Sequence, residues 1–276
     1  MNRNVLVLLI SCLLTSSGIF GQSYKLNFLM ALQAKDMAKA EEVLKAWDFA
    51  DANDAELYVA YFNFFTVKSK EANVLNVSGY DSKFSKQAFE FISEGIDRFP
   101  TRFDMRVAKI YMLGEMNDYQ GYISEVLEMI AYSVKIENNW KGEDFTLVSE
   151  PEEMFFGAVL EAQSYFFLKE NPSLYKEIIR ISDEMLKYYP NHVQSLLNLS
   201  TVYVYQKDFD KSIETLLKAV TIEPTNSILL YNIASVYNLK GEKDNAKKYY
   251  ALTINHIKEK EEKLKEAAQK QLEALK

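Results

Sequence analysis

The sequence predicts an all-α chain of about six helical hairpins stacked as a solenoid and closed by a long C-terminal helix. Three observations carry this expectation. With 9 Gly and 5 Pro in 276 residues, the chain is too poor in turn formers for a strand-and-turn protein. Hydrophobic residues at 48% and aromatics at 13% supply a core in which bulky side chains join paired helices. Part of the chain repeats itself at an offset of 34 residues, the period of a stacked helical hairpin.

Residues 1–21 have the composition of a targeting segment. Arg3 gives a positive start, and Val5 to Leu14 form an apolar run of about ten residues, too short for the roughly twenty that span a bilayer. Thr15, Ser16, Ser17 and Gly18 follow, so cleavage after Gly21 leaves Gln22 first, with a cut after Gly18 as the alternative. This predicts an exported protein, periplasmic or secreted. The only cysteine, Cys12, lies in this segment, and Leu9-Ile10-Ser11-Cys12 also reads as a lipoprotein box. On that alternative, lipidation at Cys12 is the protein's one route to a membrane. Under ordinary cleavage no thiol is left, and packing alone stabilises the fold.

Six helical pairs are expected from residue 22 to 257. They run 23–34 with 36–50, 54–69 with 82–99, and 102–115 with 118–137; then 151–169 with 172–189, 192–206 with 209–222, and 226–240 with a long last helix from 243. Asp36, Ala40 and Leu44 mark one second helix, and Ala88, Gly95 and Pro100 another. The pairs in 23–189 are degenerate; the clear copies lie in 193–257. There Leu196 matches Leu230, Asn198 matches Asn232, Ser200 matches Ala234, Tyr203 matches Tyr237 and Ser212 matches Ala246. Small residues at Ser200, Ala219, Ala234 and Ala246 let the two helices of a pair approach closely, and Pro224 ends the first copy as Pro190 ends the pair before it.

This large-apolar-small-aromatic order, followed by small-bulky-small and proline, resembles the tetratricopeptide repeat (TPR) family. Lys207 departs from it, standing where the family usually has a turn glycine; Gly241 keeps that glycine. The resemblance implies a protein–protein interaction module whose first helices line a concave groove for a peptide or protein. The implied groove positions are Gln194, Leu197, Asn198, Thr201 and Tyr205, then Tyr231, Asn232, Ser235 and Asn238. Tyr205 and Tyr231 are the expected anchors, and exposed amides at Asn198 and Asn232 could both donate to and accept from a peptide backbone. The family's chaperone-binding members clamp a carboxylate with Lys and Arg. Here those positions hold Gln194, Leu197, Ile228 and Tyr231, so that clamp is not formed.

Two insertions interrupt the pairs, 66–83 with Tyr80 and 133–153 with Trp140; each is either a tolerated surface loop or a functional one. The tail 258–276 is a charged helix with Glu259–Lys263, Glu261–Lys265 and Glu266–Lys270 pairs and a thin Leu264, Ala268, Leu272, Leu275 stripe, suited to capping the last repeat.

Catalytic chemistry finds little support. His192 and His256 lie in different pairs, and no metal, phosphate-loop, dinucleotide or nucleophile motif is present. Asp48, Asp51 and Asp54 read as helix ends, with a cap at Asn53 or Asp54, rather than as a calcium loop. A formal charge of -7 without a basic stripe argues against nucleic acid and anionic lipid. The expected function is an interaction scaffold without enzyme activity or cofactor. The alternatives are an oligomeric assembly component, or an envelope enzyme with an acidic site under the insertions.

Overall fold

The computed structural model describes residues 19–72 and 79–275. Cys12 and the apolar run of the expected targeting segment lie outside these residues, as does the middle of the first insertion. Thirteen α-helices are described: α1 Ile19–Gln33, α2 Met37–Ala50, α3 Ala55–Ala72, α4 Ser82–Arg98, α5 Phe103–Glu115, α6 Tyr119–Lys135, α7 Pro151–Leu168, α8 Tyr175–Tyr188, α9 Val193–Tyr205, α10 Phe209–Ile222, α11 Ser227–Lys240, α12 Lys243–Asn255 and α13 Glu262–Ala274. A 3₁₀ turn, Pro172–Leu174, precedes α8. The chain divides into two compact units, one reaching Glu125 and including Lys135–Phe155, the other made of Val126–Val134 and the chain from Phe156.

One turn design joins five of the six pairs. Lys35, Asn117, Glu170, Lys207 and Gly241 all take positive φ, between 49° and 88°. In four of these turns the next amide reaches back five residues and the positive-φ amide three: Asp36 to Ala31 and Lys35 to Leu32, Asp118 to Leu113 and Asn117 to Gly114, Asp208 to Tyr203 and Lys207 to Val204, Glu242 to Tyr237 and Gly241 to Asn238. This left-handed cap satisfies carbonyls that the helix end leaves free. The residue after it starts the second helix. Asp36, Asp118 and Asp208 accept the amides of Lys39, Gly121 and Lys211, which a helix N-terminus needs.

A second recurring joint leads from one pair to the next. Phe99, Tyr189 and Glu223 hold φ near -125° and donate to Gly95, Met185 and Ala219. Each precedes proline, which keeps its neighbour out of the helical region. Two residues later the next helix is capped, but only Asn226 does so with its side chain, accepting from Ile228 and Leu229. Arg102 and His192 occupy the same place without capping.

The small positions expected from the sequence are buried at close approaches. Ala40, Ala88, Ser212, Ala219, Ala234 and Ala246 have no exposed surface. A Cβ on Gly95 would stand 2.9 Å from the Tyr58 Cβ and 3.2 Å from the Met105 sulfur.

The long last helix is corrected. α12 stops at Asn255, and Glu261 accepts both the Lys258 amide at 3.0 Å and the Ser227 hydroxyl at 2.7 Å. That pair of bonds folds the chain back, which helical periodicity alone could not reveal. Ser200, Ala234 and Ala268 recur at 34-residue spacing and are all buried. α13 is therefore a further first helix in repeat register. Ala268, Leu272 and Leu275 pack with Ala234, Ala246 and Tyr250. Its outer residues, Lys263, Glu266, Gln269 and Lys270, are exposed.

Candidate functional site

The insertion 133–153 and the expected groove lie among the described residues, and they differ in kind. The insertion 133–153 is not a free loop within the first unit. Lys141 bonds the Thr101 carbonyl and Phe103 bonds the Lys141 carbonyl, which lays the segment along the joint before α5. Trp140 is fully buried edge-on to Phe103, with ring centroids 5.2 Å apart, and Phe145 meets Phe99.

The carboxylates beneath this insertion converge on cations. Arg102 is fully buried; it holds Asp104 in a two-pronged pair at 2.8 Å and Glu56 at 2.6 Å, and donates to the Glu143 carbonyl. Lys25 bridges Glu56 and Glu143 at 2.7 Å each. Burial works against both cations, but the carboxylates outweigh it and hold the Lys25 and Arg102 pKa values above their usual range. Arg102 has thus exchanged a capping role for a tether. A charge set closed in this way locks the insertion to α1, α3 and α5.

The predicted groove residues lie in the second unit, on α9 and α11. Thr201 and Tyr205 are exposed; Gln194, Leu197, Tyr231, Asn232, Ser235 and Asn238 are half-buried. Asn198, expected to be exposed, is only 7% so. Its amide donates to Gln163 on α7 at 2.5 Å and accepts from Gln194, while Gln163 donates to Ser182 on α8. A core polar chain joining α7, α8 and α9 consumes the amide, because a buried amide must find partners. Asn232, its repeat counterpart, makes no side-chain hydrogen bond among the described residues.

Counting back from the positive-φ turn residues Glu170, Lys207 and Gly241 superposes α7, α9 and α11 position by position. Two residues back stand Leu168, Tyr205 and Leu239, which are 72%, 60% and 59% exposed. Ten back stand Leu160, Leu197 and Tyr231; three back, Phe167, Val204 and Asn238; six back, Ser164, Thr201 and Ser235. None of these twelve residues is charged. Tyr205 sits in an aromatic group with Tyr175 at 5.0 Å and Phe167 at 6.4 Å, so its ring is held while its surface stays open. The α7 row was missed from sequence because its offset from α9 is 37 residues, not 34. The signal that finds it is the acidic-polar turn Glu170-Asn171, which parallels Lys207-Asp208.

Several polar groups on this face, though not Asn232, are engaged within the fold. Thr201 donates to the Leu197 carbonyl and Ser235 to that of Tyr231. Tyr250 is hydrogen-bonded by Ser235 and Asn238 and meets Tyr231 edge-on, with centroids 5.5 Å apart. On α13 the equivalent positions change character, to Lys265, Gln269, Leu272 and Glu273.

The tetratricopeptide repeat family matches residues 193–226 and 228–252. Among curated proteins, the photosystem I assembly protein Ycf3 of Prochlorococcus marinus is similar. It is 28% identical in one strain and 27% in another over 114 residues, 38% of this chain. The match spans 66% of those relatives' own length. Among solved structures, MamA from Desulfovibrio magneticus is 14% identical over 74% of this chain and 94% of its own, with a TM-score of 0.40. YrrB, described as a TPR protein with an unusual peptide-binding site, is 12% identical over 82% and 97%, with a TM-score of 0.41.

Proposed function

From a chain that carries tetratricopeptide repeats at 193–226 and 228–252, we propose an exported interaction scaffold that holds a protein or peptide against the first helices of its second unit. The observation that carries this reading is the row Leu168, Tyr205 and Leu239, large apolar side chains left open at the same turn of successive first helices. A folded chain rarely leaves such residues aligned without a partner. We read the role as non-catalytic, and the ion pairing of Glu56, Asp104 and Glu143 beneath the insertion with Arg102 and Lys25 supports that reading. The curated relatives carry the name of an assembly protein, which fits a scaffold role.

Affinity capture from envelope extracts tests the scaffold role, using the protein from Gln22 onward. A partner retained by wild type and Lys248→Ala, but lost with Tyr205→Ala, supports this face; a partner set indifferent to Tyr205 refutes it. Export is tested by the mass of the native protein. A chain beginning near Gln22 supports it, an acylated Cys12 makes it a lipoprotein, and a retained Met1 removes it.

A further inference from the structure

The turn between α12 and α13 is built unlike the two joints that lead to α9 and α11. Those joints carry Pro190 and Pro224, which a helix cannot accommodate in its interior. The turn 256–261 reads His-Ile-Lys-Glu-Lys-Glu, with neither proline nor glycine, and among the described residues none from 255 to 262 takes positive φ. Lys and Glu are good helix formers. Glu259 and Glu261 also stand four residues before Lys263 and Lys265, the order that supports a helix running straight through the turn. What bends the chain is a β-turn at its surface. The Glu261 amide donates to the Lys258 carbonyl at 2.9 Å, and the Lys258 amide donates to the Glu261 carboxylate at 3.0 Å. The packing of α13, by contrast, is made of contacts between helices. Ala268, Leu272 and Leu275 meet Ala234, Ala246 and Tyr250, and Glu261 accepts from the buried Ser227 hydroxyl. A second copy of the chain offers the same surfaces. Direction and length agree with an exchange. A short turn sets α13 antiparallel to α12, and two straightened α12–α13 helices related by a two-fold axis also run antiparallel. α12 and α13 are 13 residues each, so α13 of one copy spans α12 of the other.

We infer that two copies of this chain exchange α13, forming a dimer in which 243–274 of each copy runs as one helix and α13 covers Ala234, Ala246 and Tyr250 of the other. Monomer and dimer bury the same contacts and differ at 256–261, where the dimer replaces the β-turn with about two turns of helix. α13 must leave its surface before it can be exchanged, so the two forms interconvert slowly. The exchange is independent of the interaction face proposed above.

The protein from Gln22 onward is unfolded in urea, refolded at up to about 1 mM and sized by light scattering on a column. The expected result is a dimer whose share rises with refolding concentration and which persists for hours after dilution. Two variants, each checked by circular dichroism, separate exchange from ordinary association. Glu259→Pro places proline at the second position of the 258–261 turn, where it is favoured, and forbids the unbroken helix. It should lower the dimer association constant at least a hundredfold while the monomer keeps its ellipticity. Glu261→Ala removes the bond to the Lys258 amide that only the turn makes, and loses the Ser227 bond in both forms alike. It should raise the association constant at least tenfold. A dimer as abundant with Glu259→Pro as with wild type, or one that Glu261→Ala fails to enrich, overturns the exchange. So does a monomer at every concentration for wild type and Glu261→Ala.

Discussion

The repeat contains its own stability experiment at the turn between paired helices. Lys207 and Gly241 stand 34 residues apart in the same left-handed conformation, at φ 60° and 88°. Lys207 makes no side-chain hydrogen bond or ion pair among the described residues, and a Cβ on Gly241 would meet no atom within 4 Å. Exchanging the two residues therefore changes backbone strain and little else. A side chain in this region costs about 1–2 kcal/mol, and the greater freedom of glycine in the unfolded chain takes back about 0.5–1 kcal/mol. Lys207→Gly should then stabilise the second unit by about 0.5–1 kcal/mol, and Gly241→Lys should destabilise it by a similar amount. With a urea slope of about 2 kcal/mol per molar, each midpoint moves by about 0.25–0.5 M. Far-UV ellipticity is the suitable probe, because both tryptophans, Trp47 and Trp140, lie in the other unit. Equal midpoints for wild type and both variants, or a lower midpoint for Lys207→Gly with a higher one for Gly241→Lys, would refute the assignment of a shared strained turn.

Three further outcomes follow from packing and protonation. Gly95→Ala should destabilise the first unit by about 1–3 kcal/mol, because the added methyl must displace Tyr58 or Met105; tryptophan fluorescence in urea reads it, and an unchanged midpoint would contradict the close approach. Ser212→Ala should raise stability by up to about 1 kcal/mol, because the buried hydroxyl has no hydrogen-bond partner and the next repeat already uses Ala246 there; a loss would mean that the hydroxyl is satisfied. His192 is held below its ordinary pKa by burial, beside Phe156 and the Ser195 hydroxyl. Its contribution is therefore complete above about pH 6.5 and is lost as pH falls through the lower folded value. His192→Asn, which supplies the cap residue found at Asn226, should lose less stability than wild type between pH 7 and 5; parallel curves would dismiss this role.

Much of the fold was legible because its punctuation is local. The Asp36, Asp208 and proline joints are set by residues whose backbone preferences act within a few positions, so the helix limits agree to within about three residues except at the start of α1, four residues early, and at the end of α12. Long-range partners were not legible. Nothing near Asn198 announces Gln163, thirty-five residues earlier, and nothing in the tail announces that Glu261 will meet Ser227. The insertion around Trp140 looked like loop because its turn residues are real. What packs it is a buried arginine at a position where the last repeat places a capping asparagine.

The packing of α13 on the pair before it bears on how such an array could grow. Each first helix in the second unit offers its successor a surface like the one it received, so the array has no inherent last member. A chain ending at Asn255 would present Ala234, Ala246 and Tyr250 uncovered, a template on which another copy could add. α13 accepts that template with Ala268 and returns Lys263, Glu266 and Lys270 to water. The helix thus covers an apolar surface and presents a charged one in its place.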